Sequence, residues 1–394
     1  DVYKRQGCSS PSCVRSYSTF RFVGELNHGN ATYHRFPGHP TSERSLPRRR
    51  LEVVRENFIG FRRALPGSAI YYAVKANPAP EILRLLASLG SSFDCASVAE
   101  IEMAMNAGAT PDRISYGNTI KKERDIASAH ALGVSLFAVD CVEEVEKVAR
   151  AAPAARVFCR VLTDGAGAEW PLSRKFGCVP AMAIDVLETA HRLGLQATGV
   201  SFHVGSQQTD TEAWDSALAD AANVFNTLAE RGIVLTLVNM GGGFPTRYLK
   251  DVPTAEAYGQ SIFAALSRHF GNRLPETIIE PGRGMVGDAG VIKAEVVLVS
   301  RKSATDENRW VYLDIGKFGG LAETMDEAIR YPIVTARDAD RKEPCVLAGP
   351  TCDSADAISP AMKTWLRTIY AELSAMAWRG RTRRTSGNDG VPLQ

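Results

Sequence analysis

Between residues 69 and 282 short apolar runs of strand character alternate with helical patterns, and this alternation restricts the fold more than any other feature of the chain. The strand-like runs are AIYYAV (69–74), SFDCAS (92–97), RISYGN (113–118), VSLFAVD (134–140), RVFCRVL (156–162), TGVSFHV (198–204), VLTLVNM (234–240) and TIIEPG (277–282). Stretches such as EILRLLASLG, VAEIEMAMNAG and CVEEVEKVARA lie between them, with apolar residues at helical spacing. Strands of this kind are buried on both faces, and helical crossovers between consecutive strands make their pairing parallel. Eight such units predict a (β/α)8 TIM barrel; an open doubly wound sheet is the rival topology that the pattern leaves open.

On either side of this region the texture changes. Residues 1–50 mix Ser, Arg, Pro and Gly without a period and read as an irregular leader of the kind that a transit peptide, a plain tail or a misread frame would each produce. A helical pattern, LEVVRENFIGFRRAL, then opens a barrel domain over residues 51–284. From residue 285 the runs IKAEVVLVSRKS, RWVYLDIG, YPIVTAR and PCVLAGPTC predict a second, all-β domain extending to residue 356. Residues 357–394, with WLRTIYAELSAMAWRGRTRR, do not continue that pattern and form an atypical tail.

Charge excludes some function classes. The 46 basic and 44 acidic side chains leave +2, too little to argue for nucleic acid or an anionic membrane as partner. No apolar run approaches the ~20 residues of a bilayer span, so a soluble protein is expected. Eight cysteines are scattered without close metal-type pairs, which predicts reduced thiols in the cytoplasm, no disulfide framework and no metal.

In a (β/α)8 barrel chemistry gathers where strands end at the C-terminal face. Lys75 ends the first run, Asp94 lies near the end of the second, Asn118 ends the third, Arg160 lies in the fifth, and His203 lies in the sixth with Gly205 and Ser206 beyond it. The seventh run ends in GGGFP (241–245) and the eighth in EPGRG (280–284). A glycine-rich turn presents bare backbone N–H groups, and Arg283 adds a bidentate donor, so the two together make a phosphate cradle; alone, the glycines would be only a tight turn. Lys75 reads as a Schiff-base nucleophile, a salt-bridge partner or an exposed lysine, and the cradle favours the first. A lysine, a phosphate site and a carboxylate at one face suggest pyridoxal 5'-phosphate, with Glu280 at the pyridine nitrogen. His203 then stacks on the ring or is a core histidine bonded to the backbone.

The motifs YAVKANP, FDCASVAEIE, SFHVGSQ, NMGGGFP, EPGRGMV and GPTCDSAD occur in this order, and the chain from about Leu51 to Asp356 resembles the fold-type III, pyridoxal-dependent basic amino-acid decarboxylases, above all the ornithine decarboxylases. The resemblance implies an alanine racemase-like barrel with a second, all-β domain. It implies that Lys75 holds the cofactor covalently, Glu280 pairs with the pyridine nitrogen and His203 stacks on the ring. It places Ser206, Gly243, Gly282 and Arg283 at the phosphate and Gly242 and Pro281 among the cofactor-binding residues, with Asp94 and Arg160 in support. Cys352 corresponds to the acid that reprotonates the α-carbon, and Asp353 and Asp326 correspond to carboxylates that receive the substrate's distal ammonium. A homodimer with shared active sites is implied as well.

The residues themselves leave Cys352 open as a small buried hydrophobe and Asp353 and Asp326 as turn residues. Diaminopimelate decarboxylases resemble the chain but carry Cys-Glu-Ser where it has Cys352-Asp353-Ser354, which favours ornithine with lysine as a second substrate. Racemases of this fold carry an arginine where Glu280 stands. A non-catalytic relative is expected to lose the lysine or the cysteine, and both are present. The family's further strands and Gly-Ala-Tyr motif have no counterpart in residues 357–394.

Overall fold

In the computed structural model, which describes residues 19–22, 48–170, 175–334 and 344–359, eight strands close into a parallel barrel. They are β1 (Ser68–Ala73), β2 (Ser92–Cys95), β3 (Ile114–Tyr116), β4 (Leu136–Val139), β5 (Arg156–Arg160), β6 (Gln196–Ser201), β7 (Leu237–Asn239) and β8 (Glu276–Ile279). Closure comes from β8 pairing with β1, Ile279 opposite Ile70, and from β7 bridging β6 and β8. The doubly wound alternative is thereby overturned. Most strands are shorter than the apolar runs that predict them. Past the C-terminal ends residues such as Lys75, Asn118, His203 and Glu280 leave the sheet for the rim.

The long helices are α1 (Arg48–Ala64), α2 (Pro80–Leu89), α3 (Val98–Asn106), α4 (Glu123–Ala131), α5 (Val142–Ala151), α6 (Pro180–Arg192), α7 (Ala213–Glu230) and α8 (Ala255–Phe270), and a four-residue helix, Arg283–Val286, follows β8. Each packs on the next, and α1 packs on both α8 and α2, so the helix that precedes β1 fills the eighth place in the ring. Local chemistry sets their ends. Pro80 and Pro180 occupy first turns, where a missing N–H costs nothing. The Ser97 hydroxyl accepts from the Glu100 N–H at 3.3 Å while the Glu100 carboxylate accepts from the Ala96 N–H at 2.7 Å, a reciprocal cap on α3.

Two apolar layers follow from strand alternation. Outward side chains such as Tyr72, Phe93, Phe137 and Val200 meet the helices, while Tyr71, Leu136, Ala138, Phe158, Leu237 and Ile278 fill the barrel interior. A two-stranded antiparallel ribbon pairs Ala168–Trp170 with Ser206–Gln208.

The chain divides into two compact units. The barrel unit includes Gly320–Pro332, a segment with no strand, which the sequence places in the β domain. The other unit holds a mixed sheet in the order Ile333–Val334, Thr19–Phe22, Ile292–Ser300, Arg309–Leu313, Cys345–Ala348, Ala357–Ser359. Arg309–Leu313 and Cys345–Ala348 run parallel, and the flanking strands Ile292–Ser300 and Ala357–Ser359 run antiparallel to them. Thr19–Phe22 and Ala357–Ser359 are strands in the segments read from sequence as leader and tail. Among the described residues no helix is long and apolar enough to cross a membrane, and no cluster of His, Cys, Asp and Glu side chains has the makings of a metal site.

Candidate active site

The strand ends of the barrel bring most of the expected residues to one face. Lys75 lies just past β1 in a one-turn 3-10 segment, Val74–Ala76, and is exposed while its neighbours Val74 and Ala76 are buried. The strand therefore ends two residues earlier than the sequence suggests, and the turn lifts the ammonium out of the apolar interior. Its charge acts on Asp94, His203 and Glu280, which places these four residues around one another.

Asp94 is buried in β2, and that burial raises its carboxyl above the ordinary range, partly offset by Lys75, Arg160 and a long 3.4 Å hydrogen bond from the Ser115 hydroxyl. Arg160, the last residue of β5, has its affinity for the proton lowered by burial and restored in part by Glu280, Asp94 and Asp140; its guanidinium lies 5.6 Å from the Phe176 ring. His203 is held well below the usual imidazole range by burial and by the charges of Arg160 and Lys75. The Gly205 N–H donates to its Nδ1 at 3.0 Å, which leaves the proton on Nε2 and makes the ring a neutral planar surface.

Glu280, just beyond β8, is pushed up to about 8 by burial first and the Asp94 charge second, against the opposing effects of Asn239, Lys75 and Arg160. The Asn239 side chain spans two functional elements. Its amide Nδ2 donates to Glu280 Oε1 at 2.5 Å, and its Oδ1 accepts from the Gly241 N–H at 3.0 Å. The Glu280 N–H in turn donates to the Gly241 carbonyl at 2.8 Å, so the carboxyl and the glycine turn share one support. The sequence shows Asn239 inside the NMGGGFP motif but gives no sign of this role, because its partner comes from the next strand.

The glycine turn has no room for side chains. A Cβ on Gly242 would come within 2.6 Å of the Glu280 carbonyl, one on Gly243 within 2.6 Å of the Gly205 carbonyl, and one on Gly282 within 3.0 Å of the Ala76 Cβ; Gly243 also has φ near +112°. The Ser206 loop is stitched to this turn by the Gln208 N–H donating to the Gly243 carbonyl at 2.9 Å. Gln207 adds a clamp, its amide donating to the Thr246 carbonyl at 2.6 Å and accepting from the Thr246 N–H at 3.1 Å. Arg283 is buried beside Ser206, with Nε and Nη2 donating to the Ser206 hydroxyl at 3.2 and 3.1 Å. A hydroxyl, a buried guanidinium and bare backbone amides together suit a phosphate monoester. A neutral imidazole, a lysine and a carboxyl with a raised affinity for its proton suit a pyridine ring carrying an aldehyde. The residues present thus fit pyridoxal 5'-phosphate.

Residues 51–287 match the family described as pyridoxal-dependent decarboxylase, pyridoxal binding domain. The chain belongs to this family. Its cofactor is pyridoxal 5'-phosphate, and it is a fold-type III decarboxylase of the basic amino-acid group. It is 34% identical to the lysine/ornithine decarboxylase of Selenomonas ruminantium over 84% of this chain and 85% of that protein. It is 35% identical to antizyme inhibitor 2 of Xenopus laevis over 78% of this chain and 70% of that protein. Among solved structures, the lysine/ornithine decarboxylase of Vibrio vulnificus complexed with cadaverine superposes with a TM-score of 0.71 at 32% identity, covering 81% of this chain and 83% of that one.

The other residues expected from the sequence, Cys352, Asp353 and Asp326, lie in other segments. Cys352 and Asp353 belong to the β unit, on the loop between Cys345–Ala348 and Ala357–Ser359, and both are exposed. The reading of Cys352 as a buried hydrophobe is therefore overturned, whereas Cys345, at the start of the preceding strand, is buried. Asp353 does act as a turn residue, accepting from the Ala355 N–H at 2.9 Å. Asp326 is exposed at a left-handed kink, φ near +53°, in the segment that belongs to the barrel unit. All six cysteines among the described residues are free thiols, and Cys8 and Cys13 lie outside those residues.

The sequence reading overlooks Asp356. It is 2% exposed, and its carboxylate accepts from the Lys317 N–H at 2.7 Å, the Thr351 N–H at 3.1 Å and the Thr351 hydroxyl at 2.7 Å. It therefore shapes the Cys-Asp loop from within. The signal was its place at the end of GPTCDSAD.

Proposed function

We propose that this decarboxylase converts L-ornithine to putrescine and CO2, a step of polyamine biosynthesis, with lysine as a second substrate, and that it acts as a cytoplasmic homodimer with shared active sites. The observation that carries the reaction class is Glu280, whose carboxyl is held by Asn239 and pushed up to about 8 by burial and the Asp94 charge. When bound, the cofactor supplies an electron sink, and a carboxyl at its pyridine nitrogen keeps that sink strong, which favours loss of CO2 over racemisation.

Lys75 holds the cofactor covalently at its aldehyde. His203, neutral and flat, would support the ring, and Ser206, Gly243, Gly282 and Arg283 would hold the phosphate, with Gly242, Pro281, Asp94 and Arg160 as further residues around the cofactor. The Asp353 and Asp326 carboxylates bind the distal ammonium of the substrate and so orient it. As the bond from the α-carbon to the carboxylate breaks and CO2 leaves, the Cys352 Sγ–H delivers the proton that replaces it.

Support for ornithine and lysine comes from Asp353, which suits a terminal ammonium without a second carboxylate, and from relatives whose names carry those two substrates. One methylene in a pocket is worth only about 1–3 kcal/mol, so turnover of both is expected. A second reading, a binding protein without turnover, is prompted by the relative named antizyme inhibitor 2; the presence of both Lys75 and Cys352 weighs against it. The test is CO2 and diamine release from labelled ornithine, lysine and diaminopimelate by the cofactor-loaded protein. Ornithine is expected to give the highest kcat/KM. Preference for diaminopimelate would overturn the substrate assignment, and no release from any of the three would favour the binding protein.

A further inference from the structure

The sequence reading takes Arg283 as a phosphate ligand that waits for its anion, yet the structure ties the guanidinium to a carboxylate already. Arg283 Nη2 donates to Glu323 Oε1 at 2.6 Å, and Arg283 Nη1 donates to the Tyr248 hydroxyl at 3.0 Å, with the Tyr248 ring 6.0 Å from the guanidinium carbon. Glu323 is itself steadied by the Tyr331 hydroxyl, which donates to Oε2 at 3.3 Å, and Tyr331 meets Tyr248 edge to face with centroids 5.1 Å apart. Arg283 and Glu323 are 5% and 9% exposed. A buried pair of this kind is an independent structural element that no motif in the sequence predicts.

We propose that Glu323 is a positioning residue for the cofactor's phosphate. It holds the Arg283 guanidinium against Ser206 in the pose that the phosphate requires, and Tyr331 and Tyr248 complete the bracket. This rests on the reading of Arg283 as a phosphate ligand given above. The physical basis is preorganisation. A long, flexible side chain that must be ordered when an anion arrives loses affinity to the entropy of ordering, and a guanidinium fixed beforehand does not. The Glu323 charge acts in the opposite direction, since it repels a phosphate dianion. Geometry dominates here, because the planar fork of an arginine binds an oxyanion well only when its N–H groups already point at it.

The two effects separate in variants. Glu323→Gln keeps a hydrogen-bond acceptor for Arg283 and removes the charge; Glu323→Ala removes both. Titration of the cofactor-free apo protein with pyridoxal 5'-phosphate, followed by the visible absorbance of the bound cofactor, reads affinity without any substrate. E323A is expected to weaken binding by roughly tenfold or more, and E323Q to bind within about twofold of the wild type. In an Arg283→Ala background E323A is expected to add almost nothing, because residues that act through one another are not additive. Thermal unfolding of each apo variant checks that it is folded, and E323Q supplies the readout should E323A not fold.

Wild-type affinity in E323A, or equal losses for E323A with and without Arg283, would overturn the proposal while leaving the phosphate assignment in place. Wild-type affinity in R283A would overturn both. Neither result depends on which amino acid the enzyme decarboxylates.

Discussion

At the scale of single residues, the site is a set of ionisable groups whose environments push them apart. Burial and the Asp94 charge push Glu280 up to about 8, while burial and two cations hold His203 in its neutral form. The folded apo chain therefore keeps the Glu280 proton over a range in which the unfolded chain, titrating at the ordinary value of 4.5, has lost it. Between those values the folded state binds more protons, so the contribution of Glu280 to stability is fully present below 4.5 and is lost as pH rises to about 8. Asp94 has the same sign. Urea unfolding of the apo protein at the two ends of that range is expected to show the loss, and Glu280→Gln is expected to flatten it; an equally steep fall in the variant would show that Glu280 does not carry the effect. In the loaded enzyme the same substitution would remove the carboxyl proposed to face the pyridine nitrogen, with kcat expected to drop roughly 10²–10⁴-fold while cofactor still binds. Lys75→Ala is expected to abolish the absorbance of the lysine-bound cofactor, and spectra of the two variants side by side distinguish these roles.

At the scale of elements, the barrel holds the site because turns, rather than strands, carry its residues. Gly243 shows why: its left-handed φ and the 2.6 Å approach to the Gly205 carbonyl give an alanine no relaxed conformation, whereas an alanine at Gly282 meets the Ala76 methyl at 3.0 Å and needs a smaller adjustment. Gly243→Ala is expected to cost roughly 1–3 kcal/mol in apo stability and to weaken the cofactor more than Gly282→Ala does. Unfolding midpoints and cofactor titrations check this, and equal behaviour of the two would mean that the turn relaxes. The barrel strands were legible because they sit in apolar runs of six or seven residues, and runs buried on both faces leave a strong local signature, as Tyr71 and Tyr72 show by filling the interior and the outer layer in turn. The ribbon between Ala168–Trp170 and Ser206–Gln208 was not, because three-residue strands beside glycines have no periodicity to read. Glu323 and Tyr248 were illegible for another reason: they meet Arg283 across 40 and 35 positions of sequence, and only closure of the barrel brings them together. Asn239 stood in a quoted motif, but its function depends on the neighbouring strand.

At the scale of the whole molecule, the residues to which a role is proposed fall in two units. Lys75, Glu280 and Arg283 belong to the barrel unit, while Cys352 and Asp353 belong to the β unit, on a loop that the buried Asp356 carboxylate organises with three accepted hydrogen bonds. A homodimer with shared sites gives this division a purpose, since a lysine from one chain and a cysteine from another then serve the same substrate. Lys75→Ala and Cys352→Ala are each expected to be nearly inactive alone, because one lacks the covalent anchor and the other the proton donor. When the two are mixed and allowed to exchange subunits, half of the dimers are mixed in a random population. In each of these one of the two shared sites receives both wild-type residues, and activity is expected to return to about a quarter of the wild-type value. If instead each chain builds its own site, every site in the mixture lacks either the lysine or the cysteine and no activity returns. Sizing each variant by light scattering before mixing confirms that dimers are present to exchange, so a null result then reports on where the site is built.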